Sequence, residues 1–110
     1  MSNLKEITSE TFESEVLKSD KPVLLEFGAG WCQPCKILEP VLEELAGDWG
    51  ENVKVAKLDV DEASQITMNY QVLSVPTTML FKGGEVLERL VGYQPKERII
   101  NKIQPHLQPA

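Results

Sequence analysis

Both cysteines of the chain lie in the stretch Trp31-Cys32-Gln33-Pro34-Cys35, two residues apart. This stretch follows a short apolar run, Val23 to Phe27, and precedes a long helical pattern. A loop that leaves a strand and opens a helix directs unpaired backbone N–H groups, and the positive end of the helix dipole, toward its own side chains. These surroundings favour a thiolate, the species that attacks disulfides. The spacing therefore suggests dithiol–disulfide chemistry, with Cys32 exposed and Cys35 one helical turn further inward.

Two other uses of a close cysteine pair stay open at this point: half of a zinc site, and a small structural staple. A zinc site takes about four ligands, usually cysteine or histidine. The chain offers two cysteines and one histidine, His106, which follows Pro105 near the C-terminus. We expect His106 to be an inert surface residue, and we expect neither a metal ion nor a cofactor.

The composition is ordinary for a soluble globular protein of 110 residues, with 42% apolar residues and a net charge of −6. Because lysine and arginine are scattered, the acidic surface disfavours nucleic acid and anionic membranes as partners. Residues 1–6 lack the apolar core of a signal peptide, and no apolar run approaches the length of a membrane span. We therefore expect one cytoplasmic domain over residues 1–110. In a reducing compartment, a close cysteine pair is more often catalytic, redox-sensing or metal-binding than a permanent staple.

Hydrophobic periodicity predicts the elements that surround the cysteine pair. Strands are predicted at 4–7, 23–27, 53–60, 77–81 and 85–91. Helices are predicted from Thr8 to about Leu17, from Pro34 to about Trp49, from Ser64 to Tyr70, and from Gln94 to Pro105. Pro40 predicts a kink in the second helix, and Pro105 is expected to end the last one. Lys82-Gly83-Gly84 predicts a hairpin between the last two strands.

This order of elements, βαβαβα followed by ββα, predicts an α/β fold. The strand–helix–strand connections make the first three strands parallel, and the hairpin adds an antiparallel portion. The product is a mixed five-stranded sheet with helices on both faces. Active loops in such sheets lie beyond the carboxyl ends of the parallel strands, and Cys32 follows one of those ends.

Two charged residues are out of place in strands that are otherwise apolar. Glu26 interrupts a run that is predicted to be buried on both faces, and Lys57 lies within the third strand. A carboxylate at Glu26 either lies on an open face or is desolvated for a purpose.

Several separated features resemble the thioredoxin family, over Leu4 to about Leu107. These features are Trp31-Cys32-Gln33-Pro34-Cys35-Lys36, Pro40, Lys57 before Asp59, Val75-Pro76-Thr77, Phe81-Lys82-Gly83-Gly84 and Val91-Gly92. A lone C-x-x-C is a modest signal, whereas C-x-P-C between strand and helix, with Val-Pro-Thr downstream, is highly specific. The resemblance implies the thioredoxin fold, with a mixed five-stranded sheet flanked by four helices, and a protein-disulfide reductase.

The resemblance also implies catalytic roles. Cys32 corresponds to the attacking thiolate, and Cys35 to the thiol that resolves the mixed disulfide. Glu26 stands where the family usually carries a buried aspartate that handles the proton of Cys35, and Lys57 resembles its partner on the adjacent strand. The alternative is a buried Glu26–Lys57 ion pair in which the two charges only neutralise each other and neither takes part in catalysis. Glutamate is one methylene longer than aspartate, and Gly28 stands where many members carry an aromatic residue.

A docking face for target proteins follows from the same resemblance. Pro76 resembles the cis-proline that faces the cysteines, with the backbone of Val75 turned outward to pair with a target peptide like an added strand. The residues expected to bind substrate are Trp31, Gln33, Pro34, Val75, Pro76, Val91 and Gly92. For Trp31 and Val75 the alternative is ordinary core packing.

The implied partners are disulfide-containing target proteins and a thioredoxin reductase, and we expect a monomer. Two alternative functions use the same fold. One is a binding module that uses the docking face without catalysis, and the other is an oxidant or isomerase of secreted proteins. The absent signal peptide and the lack of a histidine in the cysteine loop weigh against the second alternative.

Overall fold

Five strands form one mixed sheet in the computed structural model, which describes residues 4–107. The strands are β1 (Lys5–Ile7), β2 (Val23–Gly28), β3 (Lys54–Asp59), β4 (Thr77–Lys82) and β5 (Glu85–Val91). Their order across the sheet is β1-β3-β2-β4-β5. β3 runs parallel to β1 and to β2, whereas β4 is antiparallel to both β2 and β5. The predicted mixed sheet and its parallel first three strands are confirmed.

Helices cover both faces of the sheet. They are α1 (Gln33–Trp49), α2 (Ser64–Asn69), α3 (Lys96–Leu107), a π-helical segment (Glu13–Leu17) and a 3-10 turn (Gly50–Asn52). Within residues 4–107, no helix is long and apolar enough to cross a membrane.

Strand β2 is the centre of the molecule, because all six of its residues are buried. Successive side chains of a strand point to opposite faces of the sheet. Leu24 accordingly packs with the buried residues of α1 and α3, whereas Leu25 and Phe27 pack with Phe12 and Val16 on the other face. The end of β2, where the cysteine loop begins, is therefore held from both sides.

The long helix α1 is fixed to the sheet by one apolar stripe. Its residues Leu38, Leu42 and Leu45 recur at helical spacing and are no more than 1% exposed. Ile37, one position away from this stripe, is 60% exposed. The stripe sets the orientation of α1, and hence where the cysteines at its first turn lie.

Two sequence predictions about helices are wrong. The first helix is shorter than predicted and of a different type, because its regular part is the π-helical segment, in which Lys18 N–H donates to the Glu13 carbonyl. Thr8 lies before this segment and supplies capping oxygens: its Oγ1 atom accepts from Thr11 N–H at 3.3 Å and its carbonyl from Phe12 N–H at 2.9 Å. The last helix does not end at Pro105, which lies inside α3. A proline in the last turn gives up one intrahelical hydrogen bond, and the helix continues past it.

His106 is not an isolated surface residue. Its Nε2 atom lies 3.0 Å from Oε2 of Glu88 on β5, and both side chains are partly buried. The extension of α3 past Pro105 brings His106 to the sheet, so its position could not follow from a helix that stops at Pro105.

Truncation of the buried stripe tests the packing of α1. We expect Leu42→Ala to lower the free energy of unfolding by about 2–5 kcal/mol, because it leaves a cavity in a closed core. The matched control is Ile37→Ala on the exposed side of α1, which should change stability by less than about 0.5 kcal/mol. Denaturant unfolding of both variants measures the difference, and equal losses would contradict the assigned orientation of α1.

Candidate active site

The two cysteines form a disulfide at the start of α1, with their Cα atoms 5.3 Å apart. Cys32 is the N-cap residue of α1 and has extended backbone angles. Its Sγ atom accepts a hydrogen bond from the Cys35 backbone N–H at 3.2 Å, and its carbonyl accepts one from Lys36 N–H at 3.3 Å. The sulphur of Cys32 therefore takes up one of the N–H groups that a helix N-terminus leaves without an intrahelical acceptor.

The expectation that Cys32 is exposed is wrong for this disulfide-bonded state. Cys32 is 4% exposed and Cys35 is 0% exposed, so both are buried, although Cys35 is the deeper of the two. The pair packs with Ala29, and the partly buried Val60 and Val75 cover it further.

Glu26 is a buried carboxyl group whose charged neighbours are Glu39 and Lys57. Its side chain is 0% exposed, and within residues 4–107 neither of its oxygens has a partner in hydrogen-bonding geometry. Burial, and then the nearby carboxyl group of Glu39, raise the pKa of Glu26 to about 8, while Lys57 has a smaller lowering effect. At neutral pH, Glu26 is thus close to the point where it gains or loses a proton.

Lys57 does not neutralise Glu26 through a close ion pair. The two residues are register partners on β3 and β2, as predicted. The Lys57 Nζ atom, however, lies 3.8 Å from Oε1 of Glu39 on α1, and this is the ion pair that it forms. The alternative of a purely structural ion pair between Glu26 and Lys57 is therefore wrong.

A cavity of about 170 Å³ borders the Glu26 carboxyl group. Its walls include Gly28 on β2, Lys57 on β3, and Lys36 and Glu39 on α1. Lys36 is exposed, so the cavity connects the buried carboxyl group with the surface of the protein.

The predicted docking residues surround the cysteine pair. Trp31 is 68% exposed, and Gln33 and Pro34 are exposed on the first turn of α1. The Val75–Pro76 peptide bond is cis, as the resemblance implies.

The hairpin supplies the remaining docking residues. Val91 on β5 is the register partner of Thr77, directly after Pro76, and is 55% exposed. Gly92 N–H donates to the Pro76 carbonyl at 2.7 Å. The end of β5 therefore lies beside the cis-proline segment.

Sequence reasoning missed three residues beside the cysteines. The Trp31 indole N–H donates to Oδ2 of Asp61 at 2.8 Å, which fixes the exposed ring. Val60 and Leu73 help to line an apolar groove of about 180 Å³ next to Trp31, and Leu73 is 95% exposed. An exposed leucine in a predicted loop was the available signal.

In the described part of the chain, no three Asp, Glu, His or Cys side chains gather to hold a metal ion.

Comparison with known proteins agrees with this geometry. The sequence model of the family described as Thioredoxin matches residues 3–105. The chain belongs to the thioredoxin family. It is 45% identical to a thioredoxin of Chlorobaculum thiosulfatiphilum over 93% of this chain and 94% of that protein. It is 41% identical to thioredoxin 1 of Nostoc sp. over 97% of this chain and the whole of that protein. It is 40% identical to a chloroplastic M-type thioredoxin of Chlamydomonas reinhardtii over 92% of this chain and 72% of that protein.

Membership of the thioredoxin family, together with the disulfide-forming pair at the start of α1, makes the chain a thiol–disulfide oxidoreductase. The mixed sheet with flanking helices is the thioredoxin fold. Thioredoxins act on disulfide substrates and are reduced by a thioredoxin reductase.

The raised pKa of Glu26 predicts how stability depends on pH. Between its ordinary value of 4.5 and about 8, the folded protein retains a proton that the unfolded chain releases. The free energy of unfolding of the oxidised protein therefore falls as pH rises from about 4.5 to about 8 and levels off above that pH. Glu26→Gln should abolish most of this fall in denaturant unfolding.

The control for this measurement is Glu51→Gln, because the Glu51 side chain is 99% exposed. Its pH dependence should match that of the unsubstituted protein. A pH dependence that persists unchanged in Glu26→Gln would contradict the raised pKa.

Proposed function

We propose that this thioredoxin-family protein reduces disulfides of target proteins, with Cys32 as the nucleophile and Cys35 as the resolving thiol. The single observation that supports this assignment is the hydrogen bond from the Cys35 backbone N–H to the Cys32 sulphur at the start of α1. The same donor and the helix dipole would stabilise a thiolate on Cys32, whereas Cys35 is enclosed and has no such position.

The reaction has two exchange steps. In the first, the Cys32 thiolate attacks one sulphur of the target disulfide, forms a Cys32–target disulfide and releases the other target sulphur as a thiolate. In the second, Cys35 loses its proton and attacks Sγ of Cys32, which forms the Cys32–Cys35 disulfide and releases the second target sulphur. Two electrons pass from the protein dithiol to the target. The second step is intramolecular, and this favours it over escape of the intermediate.

Glu26 is the proposed acceptor of the Cys35 proton. Its carboxyl group lies under the same end of β2 as the cysteine loop, and a pKa near the working pH suits a general base. Within residues 4–107 no donor meets this carboxyl group in hydrogen-bonding geometry, so its ionised form can accept the proton. The cavity that leads past Glu39 and Lys36 supplies the route by which the proton leaves.

The exposed residues around the pair form the proposed docking face for target peptides. Trp31 and Val91 are large apolar side chains exposed on either side of the cis-proline segment. Val75 packs against the cysteines, so a peptide that pairs with its backbone would bring a target disulfide next to Cys32. Gln33, Pro34 and Gly92 complete this face, whereas Pro76 is buried and belongs to it in the proposed arrangement only through its backbone.

The wider setting follows from the proposed activity. We propose one domain over residues 1–110, because the chain matches 94% of the length of a relative with the same function. A disulfide reductase works where thiols are kept reduced, so we place the protein in the cytoplasm, as a monomer recycled by a thioredoxin reductase. Its net charge of −6 disfavours nucleic acid as a partner.

Cysteine variants test the assigned roles. We expect Cys32→Ser to abolish dithiothreitol-driven reduction of insulin, because the remaining thiol, Cys35, is fully buried and cannot make the first attack. Cys35→Ser should instead accumulate a covalent Cys32–insulin adduct, visible by mass spectrometry, because the resolving thiol is missing. The opposite pattern, with adducts formed through Cys35 in Cys32→Ser, would contradict the assignment.

A conservative change at Glu26 tests the proposed proton acceptor. Glu26→Gln keeps the shape of the side chain and should slow resolution of the mixed disulfide at neutral pH by about 10²-fold, the lower range for a general base. The measurement is the decay of the Cys32–target adduct followed across pH, with Glu51→Gln as the control. A resolution rate in Glu26→Gln that equals the native rate at every pH would remove Glu26 from the mechanism.

A further inference from the structure

We propose that Gly28 is a positioning residue for the proton transfer. Because Gly28 has no side chain, the Glu26 carboxyl group can occupy a position beside Cys35 that a Cβ atom would block. This inference rests on the role proposed above for Glu26. It assigns to Gly28 a function that depends on the length of the side chain at position 26.

The geometry at Gly28 carries the argument. Residues two apart on a strand face the same side of the sheet, so Glu26 and Gly28 both face α1. A Cβ atom built on Gly28 would lie 2.9 Å from Oε2 and 3.2 Å from Cδ of Glu26. It would also lie 3.2 Å from Sγ of Cys35. The carboxyl group of Glu26 and the sulphur of Cys35 thus both approach the position of the missing Cβ atom, which in glycine is occupied by a hydrogen atom.

Backbone conformation gives no reason for a glycine at this position. Gly28 lies in β2 and is absent from the glycines with positive φ, which are Gly50, Gly83, Gly84 and Gly92. Glycine in a strand costs conformational entropy and packs no side chain. The lack of a Cβ atom at Gly28 therefore leaves room for neighbouring side chains and does not meet a backbone requirement.

Of the groups around this point, the Glu26 side chain is the one that can move. The Gly28 backbone is fixed because its carbonyl accepts a hydrogen bond from Val60 N–H at 2.9 Å, and because it pairs in register with Asp59. Cys35 is fully buried in the first turn of α1. The Glu26 carboxyl group has no hydrogen bond within the described residues that would hold it against a new neighbour. A side chain at position 28 would therefore turn this carboxyl group away from the sulphur.

The charged and titratable groups that surround this point are few. Cys35, Lys36 and Glu39 approach it from α1, Lys57 and Asp59 from β3, and Glu6 on β1 lines the same cavity. None of them changes in the variants proposed next. A change in the pH profile can therefore be assigned to the position of the carboxyl group at residue 26.

The experiment is a double-mutant cycle between Gly28→Ala and Glu26→Asp. The readout is the rate at which Cys35 resolves a Cys32–insulin adduct, measured across pH. Gly28→Ala alone should slow resolution by about 10²-fold, the loss that a displacement of about 1 Å can cause. Aspartate is one methylene shorter and stays clear of the added Cβ atom. In the Glu26→Asp background, Gly28→Ala should therefore cost less than tenfold, as a rough bound on the same scale.

Gly30→Ala is the matched control, because Gly30 lies two residues after Gly28, just beyond β2, and a Cβ atom there meets no atom within 4 Å. It reports the effect of reduced backbone freedom alone. The proposal is overturned if Gly28→Ala slows resolution equally in both backgrounds, or in neither. If Gly28→Ala alone does not fold, rescue of folding by Glu26→Asp supports the proposed crowding, and failure to fold in both backgrounds overturns it.

A third background separates this inference from the role of Glu26. Glutamine has the shape of glutamate and cannot accept the proton as a carboxylate does. If Gly28→Ala slows Glu26→Gln as much as it slows the native protein, the effect is one of packing, and only the inference about Gly28 fails. If Glu26→Gln by itself resolves the adduct at the native rate, the proposed proton acceptor fails, and the inference fails with it.

Discussion

The proposed chemistry depends on one hydrogen bond, from the first turn of α1 to the sulphur of Cys32. A helix start leaves N–H groups without partners, and here one of them meets a sulphur atom at 3.2 Å. That contact requires α1 to begin where β2 ends. The buried strand β2 fixes one side of this junction, and the apolar stripe through Leu38 and Leu42 fixes the other. The packing of both elements thus determines the chemistry of two sulphur atoms.

A second constraint opposes stability. A carboxyl group buried without a partner disfavours the folded state when it is charged, and Glu26 lies in the centre of the most buried strand. Lys57 would relieve this cost, yet it forms its ion pair with Glu39. The balance leaves Glu26 close to the midpoint of its titration at neutral pH. An ionisable group in this condition is typical of active sites, where stability is given up for function.

Sequence patterns predicted the sheet, the parallel crossovers and the hairpin because local periodicity and glycine turns determine them. They failed at Pro105, where contacts of His106 with the sheet accompany a helix that continues past the proline, and at the start and type of the first helix. The cysteine loop was identified from residue types alone. The burial of Cys32, the Glu39–Lys57 ion pair and the Trp31–Asp61 hydrogen bond could not be predicted. Each of them depends on side chains that are distant in sequence and on which of several partners lies nearest.

The most direct test of the account is alkylation of the reduced protein across pH, with the modified cysteine identified by mass spectrometry. The helix start should stabilise the thiolate of Cys32, so Cys32 should react before Cys35 and at a lower pH than a free cysteine. Glutathione under the same conditions provides the reference thiol. If Cys35 is modified first, or if Cys32 requires the same pH as glutathione, the helix start does not activate the sulphur and the account is wrong.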